Sequence, residues 1–316
     1  MDKIISAISQ IGIVPVIKLE DAKDAVPLAG ALCQGGLPCA EITFRTPAAE
    51  DSIRAVTKAF PDMLVGAGTV LTPEQADRAA DAGASFIVSP GFNADTVSHC
   101  LEKNIPILPG CSTPSEVEQA MSFGLDTVKF FPAEAAGGLA MIKAMSAPYR
   151  NMKFMPTGGI SSKNLNTYLN FKKVIACGGS FMAPDSLIAA QDFEGIARLT
   201  REAVSVMLGF EIAHIEIAMT DRTAVRNLPD TFSTVFSCSF LGRTDGEPLT
   251  ASVTHVPHAT GQITVRTNDI RRAVSHLERQ SLWMDKNTEQ YNDKKELSAI
   301  NLAESYGGFT IQIIQK

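Results

Sequence analysis

Histidine is scarce in the first two thirds of this chain. Of the five histidines, only His99 precedes residue 210. Catalytic metal sites usually combine several histidines and carboxylates, which His99 alone cannot supply. We therefore expect acid–base chemistry in this part to come mostly from Lys, Glu or Asp, without a metal site of that kind.

Other absences narrow the class of protein. The 316 residues contain six cysteines but no C-x-x-C pair, no basic tract and a net charge of −6. No apolar run approaches the roughly 20 residues of a membrane span, and the first ten residues lack a signal peptide's layout. We expect buried thiols in a reducing compartment, a cytoplasmic location, and neither a membrane nor a nucleic acid as partner.

A strand-and-helix unit repeats through the first 200 residues. Segments of helical periodicity alternate with apolar runs, and Thr72 and Thr113 each stand before a proline in the pattern of a helix N-cap. The eight runs are Ile13–Ile17, Ala40–Phe44, Leu64–Ala67, Phe86–Ser89, Ile105–Leu108, Thr127–Phe131, Lys153–Met155 and Val174–Ala176. This α/β pattern predicts a compact (β/α)8 TIM barrel; an open doubly wound sheet is the alternative, although no G-x-G-x-x-G follows the first strand.

Lys129 lies inside an otherwise apolar strand. Burial disfavours the ammonium form, and a neutral amine is a nucleophile that can form a Schiff base with a ketone. The alternative is a structural lysine paired with a buried carboxylate.

Glu41 and Arg45 share one face of the second strand, because side chains alternate along a strand. Charged groups are hard to satisfy beneath helices, so we expect this face to line the barrel interior. Glu41 would then move protons beside the lysine while Arg45 binds an anionic substrate. The alternative is a structural Glu41–Arg45 ion pair.

Two glycine pairs follow the last two predicted strands. Gly158-Gly159 and Gly178-Gly179-Ser180 occupy positions where barrels of this class often bind phosphate through backbone N–H groups. The alternative is ordinary turn formation, which also favours glycine.

Six motifs together resemble one enzyme family. From about residue 5 to 207 the chain is similar to the 2-keto-3-deoxy-6-phosphogluconate (KDPG) / 4-hydroxy-2-oxoglutarate (KHG) aldolases, through EITFRT (41–46), GAGTV (66–70), SPG (89–91), KFFPAE (129–134), PTGGI (156–160) and GGS (178–180). The resemblance implies a class I aldolase on a trimeric barrel that needs no metal or cofactor. Its substrates would be KDPG, cleaved to pyruvate and glyceraldehyde 3-phosphate, or 4-hydroxy-2-oxoglutarate, cleaved to pyruvate and glyoxylate.

The resemblance also implies residue roles. Lys129 corresponds to the Schiff-base lysine and Glu41 to the general acid/base. The substrate-binding positions are Arg45 and Thr69 at the pyruvate end, Pro90 and Phe131 as pocket walls, and Thr157, Gly158, Gly159, Gly179 and Ser180 toward the phosphate. Two departures are Phe44, where a smaller aliphatic residue is expected and which should face the helix layer, and Phe181, where tryptophan is common.

Residues 209–316 form a second predicted domain, after a first domain of residues 1–208. Its pattern predicts a smaller α+β domain of βαβββ type, similar to the glyoxalase/bleomycin-resistance (vicinal oxygen chelate) superfamily. The predicted elements are strands at Phe210–Met219, Phe232–Phe240, Gly261–Thr267, Leu297–Ala303 and Gly308–Ile314 and a helix at Asp269–Gln280.

The metal-binding positions of that superfamily are poorly matched here. His214, Gln262 and Gln312 fall near them, but three near-neutral ligands make a poor divalent-metal site, so we expect a degenerate module. Trp283 is predicted to be a packing anchor.

Two further functions stay open at this point. One is a catalytically inactive protein that binds a keto-acid phosphate, although binding alone requires neither Lys129 nor Glu41. The other is a bifunctional enzyme with a metal-dependent C-terminal domain.

Overall fold

The computed structural model describes residues 2–219, 250–255 and 260–316. It divides into two compact units, Met1–Met207 and Leu208–Lys316.

The first unit is built on parallel strands. One six-stranded sheet has the order β5-β4-β3-β2-β1-β9, and a three-stranded sheet has the order β6-β7-β8. The strands are β1 Ile13–Ile17, β2 Cys39–Thr43, β3 Leu64–Gly68, β4 Phe86–Val88, β5 Ile107–Leu108, β6 Gly110–Cys111, β7 Thr127–Phe130, β8 Lys153–Pro156 and β9 Cys177–Gly179.

Local contacts connect the two sheets at both edges. Single parallel bridges join Thr157 to Gly178 and Phe154 to Val174, so that β8 lies beside β9. At the other edge, β5 and β6 are separated only by Pro109, whose carbonyl accepts a hydrogen bond from the Lys129 backbone N–H at 3.0 Å. The arrangement is that of a (β/α)8-like fold.

Helices follow almost every strand. They are α1 Asp2–Ile11, α2 Ala25–Gln34, α3 Ala49–Ala59, α4 Pro73–Asp81, α5 Ala94–Glu102, α6 Pro114–Ser122, α7 Gly138–Ser146, α8 Leu165–Leu169, α9 Asp185–Ala189 and α10 Phe193–Leu208, with a short 3-10 helix at Ala22–Asp24. Both predicted N-caps are confirmed, since the Thr72 hydroxyl accepts from the Gln75 N–H and Thr113 forms a capping box with Glu116. Among the helices that the structure describes, none combines the length and apolar character of a membrane span.

The last strand of the first unit was predicted in the wrong place. The apolar run Val174–Ala176 makes only the Val174 bridge, and β9 is Cys177–Gly179 instead. Gly178 and Gly179 pair with Val14 and Pro15 and therefore belong to the sheet rather than to the loop. Glycine is required at Gly178 because a Cβ there would lie 2.3 Å from the Thr157 hydroxyl oxygen.

The second unit is a mixed six-stranded sheet with one described helix. The strand order is β11-β10-β12-β15-β14-β13. The elements are β10 Glu211–Met219, β11 Thr250–His255, β12 Thr260–Thr267, α11 Ile270–Arg279, β13 Met284–Tyr291, β14 Leu297–Leu302 and β15 Phe309–Gln315.

Most predicted elements of this unit are present within two residues of the expected bounds. Helix α11 begins after Asp269, whose carboxylate accepts from two backbone N–H groups, and it buries Ile270 and Ala273. The predicted strand Phe232–Phe240 lies outside the described residues. The prediction for Trp283 is wrong, because this residue is 62% exposed rather than packed.

Candidate active site

Lys129 lies in the buried interior of the first unit. It is the third residue of β7, and its side chain is only 6% exposed. The Nζ donates a hydrogen bond to Glu41 Oε1 at 3.2 Å and lies 5.2 Å from the centre of the Phe131 ring. The lysine is therefore paired with a buried carboxylate, and that carboxylate is the one predicted to be functional.

Glu41 is fully buried on β2. One oxygen accepts from Lys129, whereas Oε2 is buried with no hydrogen-bond partner among the described residues. Space for the carboxylate comes from Gly68 on β3, where a Cβ would lie 2.2 Å from Oε1. Gly68 was not among the predicted site residues, although it lies within the GAGTV motif (66–70).

The alternative prediction, a structural ion pair between Glu41 and Arg45, is wrong. Glu41 pairs with Lys129 instead. The Arg45 Nε donates to the Thr43 hydroxyl oxygen at 3.2 Å, and that hydroxyl donates to the Ile17 carbonyl at 2.9 Å. Arg45 is exposed and follows the end of β2, so its guanidinium is accessible to an anion from solvent. The neighbouring Phe44 lies 5.8 Å below the guanidinium of Arg78 on α4, as expected for a residue that faces the helix layer.

Thr69 has an unusual backbone conformation directly after β3. Its φ angle is 56°, in the left-handed region that a β-branched residue rarely adopts. Such strain is often found at ligand-binding positions, where the surrounding structure holds it.

Pro90 and Phe131 follow β4 and β7 and are both partly exposed. The Pro90 carbonyl lies against Gly110, where a Cβ would come within 2.1 Å of its oxygen. Gly110 is in turn the register partner of Lys129. Pro90 is therefore held two strands away from the lysine, and Phe131 lies beside the lysine ammonium.

The Thr157–Gly159 segment continues from β8. The Thr157 hydroxyl is buried with no hydrogen-bond partner among the described residues. Gly158 and Gly159 have φ angles of 99° and 80°, which glycine tolerates and other residues avoid. The Thr157 carbonyl accepts from the Ala133 N–H at 2.8 Å, which ties this turn to the segment that follows Lys129.

Gly179 and Ser180 end the neighbouring strand β9. Gly179 is buried and pairs with Pro15, whereas Ser180 is exposed at the strand end. Phe181 covers Gly179, since a Cβ there would approach the ring to 3.0 Å. The two glycine segments thus lie on adjacent strands, linked by the bridge between Thr157 and Gly178.

Three residues of the second unit fall near the superfamily's metal-binding positions, and they lie near one another in the sheet: His214, Gln262 and Gln312. Gln262 Nε2 donates to Gln312 Oε1 at 3.0 Å and to the Thr264 hydroxyl at 3.2 Å, and His214 is the register partner of Thr264. Within residues 2–219, 250–255 and 260–316, no group of three or more His, Cys, Asp or Glu side chains is arranged to hold a metal ion.

Comparison with known proteins gives one family for the first unit. The family model of KDPG and KHG aldolase matches residues 4–199. The chain is 48% identical over 207 residues to a 2-dehydro-3-deoxy-phosphogluconate aldolase of Treponema pallidum, covering 66% of this chain and 99% of that protein. It is 45% identical over 192 residues to the KHG/KDPG aldolase of Escherichia coli K12, covering 61% of this chain and 90% of that protein.

One similar solved structure contains a covalent intermediate formed with pyruvate. The KDPG aldolase of Legionella pneumophila, crystallised with pyruvate captured as a covalent carbinolamine intermediate, matches with a TM-score of 0.61 and 39% identity, covering 63% of this chain and 97% of that one. Sequence, fold and the buried lysine–carboxylate pair agree, and the chain therefore belongs to the KDPG and KHG aldolase family.

Proposed function

We propose that this protein is a Schiff-base aldolase that cleaves a 4-hydroxy-2-keto acid between C3 and C4 and releases pyruvate. The substrate is KDPG, which also gives glyceraldehyde 3-phosphate, or 4-hydroxy-2-oxoglutarate, which also gives glyoxylate. The observation that carries the proposal is the buried pair of Lys129 and Glu41, 3.2 Å apart, in a chain of this family.

Schiff-base formation is the first half of the reaction. Glu41 accepts a proton from Lys129, whose amine then adds to the C2 ketone and gives a carbinolamine. Glu41 returns a proton to the departing hydroxyl, so water leaves and an iminium forms. A carboxylate in contact with the lysine can do both, because its second oxygen accepts no hydrogen bond from the described residues.

Carbon–carbon cleavage is the second half. Glu41 accepts the proton of the C4 hydroxyl as the C3–C4 bond breaks, and the bonding electrons move to the iminium nitrogen. The products are an aldehyde and a pyruvate enamine. Protonation at C3 and addition of water then release pyruvate and restore Lys129. The iminium is the electron sink, so we propose that neither a metal nor a cofactor is needed.

The remaining site residues would bind the substrate. We assign Arg45 and Thr69 to the pyruvate carboxylate and Pro90 and Phe131 to the pocket walls. The Thr157 hydroxyl has no hydrogen-bond partner in the described part of the chain and can donate to the substrate. The glycine segments Gly158-Gly159 and Gly179-Ser180 would bind the far, phosphorylated end through backbone N–H groups.

Borohydride trapping tests this proposal. The full-length protein is incubated with pyruvate and sodium borohydride, and the adduct is mapped by mass spectrometry. We expect a stable adduct on Lys129 that Lys129→Ala loses. Lys153→Ala is the matched control, because Lys153 begins the adjacent strand β8 but is 44% exposed and pairs with Asp126. A folded protein without an adduct, or an adduct on another lysine, would refute the Schiff-base mechanism.

We also propose a closed (β/α)8 barrel for the first unit, assembled as a homotrimer in the cytoplasm. The five cysteines in the described part of the chain form no disulfide there, which supports a reducing compartment. Light scattering of the full chain should give about three times the chain mass of 33.8 kDa. A mass of one or two chains would contradict the trimer.

For the second unit we propose a degenerate glyoxalase-like module that affects assembly or regulation. The order β12-α11-β13-β14-β15 supports the βαβββ type. Elemental analysis of the purified protein tests the alternative, a metal-dependent second activity. We expect no stoichiometric transition metal, and one bound metal per chain would favour the bifunctional enzyme.

A further inference from the structure

Thr43 lies between the buried lysine–carboxylate pair and the exposed Arg45, although it was not among the predicted site residues. It is the last residue of β2 and is only 1% exposed. Because side chains alternate along a strand, Thr43 shares a face with Glu41 two positions earlier and with Arg45 two positions later. That face is the one on which Glu41 meets Lys129. Thr43 therefore stands between the proposed catalytic pair and the residue proposed to bind the substrate carboxylate.

The direction of the Thr43 hydroxyl is fixed by β1. Its single proton is donated to the Ile17 carbonyl oxygen at 2.9 Å. A hydroxyl has one proton and two lone pairs, so the same oxygen can act toward any other neighbour only as an acceptor. The Arg45 Nε donates to it at 3.2 Å. The two hydrogen bonds form one chain that runs from the backbone of β1 through Thr43 to the guanidinium.

The contact with Thr43 restricts the Arg45 side chain. An arginine on a protein surface samples many rotamers, and ordering it costs free energy when a ligand binds. Arg45 is exposed, but Thr43 holds its Nε before any substrate arrives. A guanidinium that is bound through Nε still presents its two terminal nitrogens, which can bind a carboxylate in bidentate fashion. The contact therefore prepares Arg45 for the carboxylate of a 2-keto acid.

The backbone around Arg45 has hydrogen bonds of its own. The Phe44 N–H donates to the Gly68 carbonyl of β3 at 2.7 Å, and the Thr46 hydroxyl donates to the Leu19 carbonyl. Loss of the contact at Nε should therefore free the guanidinium without displacing the end of β2. A variant can thus test the position of the side chain alone.

We propose that Thr43 is a positioning residue, which holds the Arg45 guanidinium in place for the substrate carboxylate and so raises the affinity of the site for 2-keto acids. This inference rests on the proposed aldolase function. Thr43 takes no part in the chemistry at Lys129. Its removal should weaken binding of the pyruvate half of the substrate and leave the Schiff-base step intact.

A pyruvate titration with borohydride trapping measures this role. The full-length protein is trapped with sodium borohydride over a range of pyruvate concentrations, and the adduct on Lys129 is quantified by mass spectrometry. Thr43→Val removes the hydroxyl and keeps the shape of the side chain. We expect it to raise the half-maximal pyruvate concentration about three- to tenfold, the range for one hydrogen bond. The amount of adduct at saturating pyruvate should equal that of the wild type.

A double-mutant cycle separates positioning from a general structural effect. Arg45→Ala should raise the half-maximal pyruvate concentration about ten- to a hundredfold, as expected for the loss of charged hydrogen bonds. If Thr43 acts through Arg45, adding Thr43→Val to Arg45→Ala should have little further effect. Thr43→Ser keeps the hydroxyl and should retain most of the affinity for pyruvate.

Thr96→Val is the matched control. Thr96 is also 1% exposed, and its hydroxyl also donates to a backbone carbonyl, that of Leu71 at 3.3 Å, but it belongs to helix α5 rather than to β2. This variant loses a comparable buried hydrogen bond. It should therefore lower the free energy of unfolding by an amount similar to Thr43→Val and leave the pyruvate titration unchanged.

The outcomes separate the two proposals. Without an adduct in the wild-type protein, the aldolase function fails, and the inference about Thr43 fails with it. A wild-type titration curve for Thr43→Val would overturn the positioning role while the aldolase function stands. An equal effect of Thr43→Val in the presence and absence of the Arg45 side chain would do the same.

Discussion

Gly68→Ala tests how strongly the reaction rate depends on the position of the Glu41 carboxylate. Its effect on kcat/KM is compared with its effect on the free energy of unfolding. A Cβ at Gly68 would lie 2.2 Å from Glu41 Oε1 and 2.7 Å from its Cγ. Ordinary van der Waals contact begins near 3.4 Å. The carboxylate must therefore move by about 1 Å, away from the position in which it accepts a hydrogen bond from Lys129.

The expected magnitude follows from that displacement. A misplacement of about 1 Å in a catalytic group commonly costs about a hundredfold in rate, or roughly 2.7 kcal/mol of transition-state stabilisation. The overpacked interior should also lower the free energy of unfolding by about 1–3 kcal/mol. We therefore expect kcat/KM to fall about a hundredfold in a protein that still folds.

Gly66→Ala is the matched control. It lies on the same strand, β3, and its Cβ would meet the Phe86 ring at 2.3 Å, an equally severe clash against an apolar side chain. It should lower the unfolding free energy by a similar amount, about 1–3 kcal/mol, and change kcat/KM by less than about tenfold. Urea unfolding and steady-state cleavage of the substrate measure the two effects.

Two results would refute this reasoning. One is a Gly68→Ala protein with wild-type kcat/KM, which would mean that Glu41 can move without consequence. The other is an equal loss of activity in both variants, which would mean that the loss comes from general destabilisation rather than from the carboxylate.

Three further predictions concern the backbone, a helix cap and the thiols. Thr69→Gly relieves a φ angle of 56° and should raise the unfolding free energy by up to about 1 kcal/mol in urea, while KM rises because the hydroxyl is lost. Thr113→Ala removes the hydroxyl of the α6 capping box and should cost about 1 kcal/mol in thermal unfolding; an unchanged melting temperature would contradict this. Burial raises the pKa of Cys100 to about 11 and the pKa of Cys111 to about 12, so the reactive thiolates are disfavoured at pH 8. Iodoacetamide at pH 8 should therefore leave both unmodified until the protein is unfolded, as peptide mapping would show.

Much of the first unit was predictable because its signals are local. A short apolar strand, a capped helix and a glycine turn each depend on neighbouring residues, so Thr72 and Thr113 mark helix starts without reference to the rest of the chain. The last strand was misplaced because Gly178 and Gly179 have poor strand propensity. Their place in β9 depends on close contact with Thr157 and Phe181, which no local pattern contains.

In the second unit, too, local sequence patterns predicted elements of secondary structure but not the burial of a single side chain. Four of its strands and helix α11 follow from alternation and helical periodicity, whereas β11 Thr250–His255 and β13 Met284–Tyr291 were not predicted. Trp283 looked like a core residue by type, yet it is 62% exposed. Large aromatic residues are buried on average, and only the packing of neighbouring elements decides a single case.

The sequence by itself determined which residues could do the chemistry. A lysine and a glutamate inside apolar strands are costly, so each suggested a function, and the family motifs around them agreed. Only the tertiary structure decided that Lys129 and Glu41, 88 positions apart in the chain, meet at 3.2 Å. It also decided that Gly68 makes room for the carboxylate. The physical reason is that strand register is set by pairing between segments that lie far apart in the chain, so it cannot be read from any one segment.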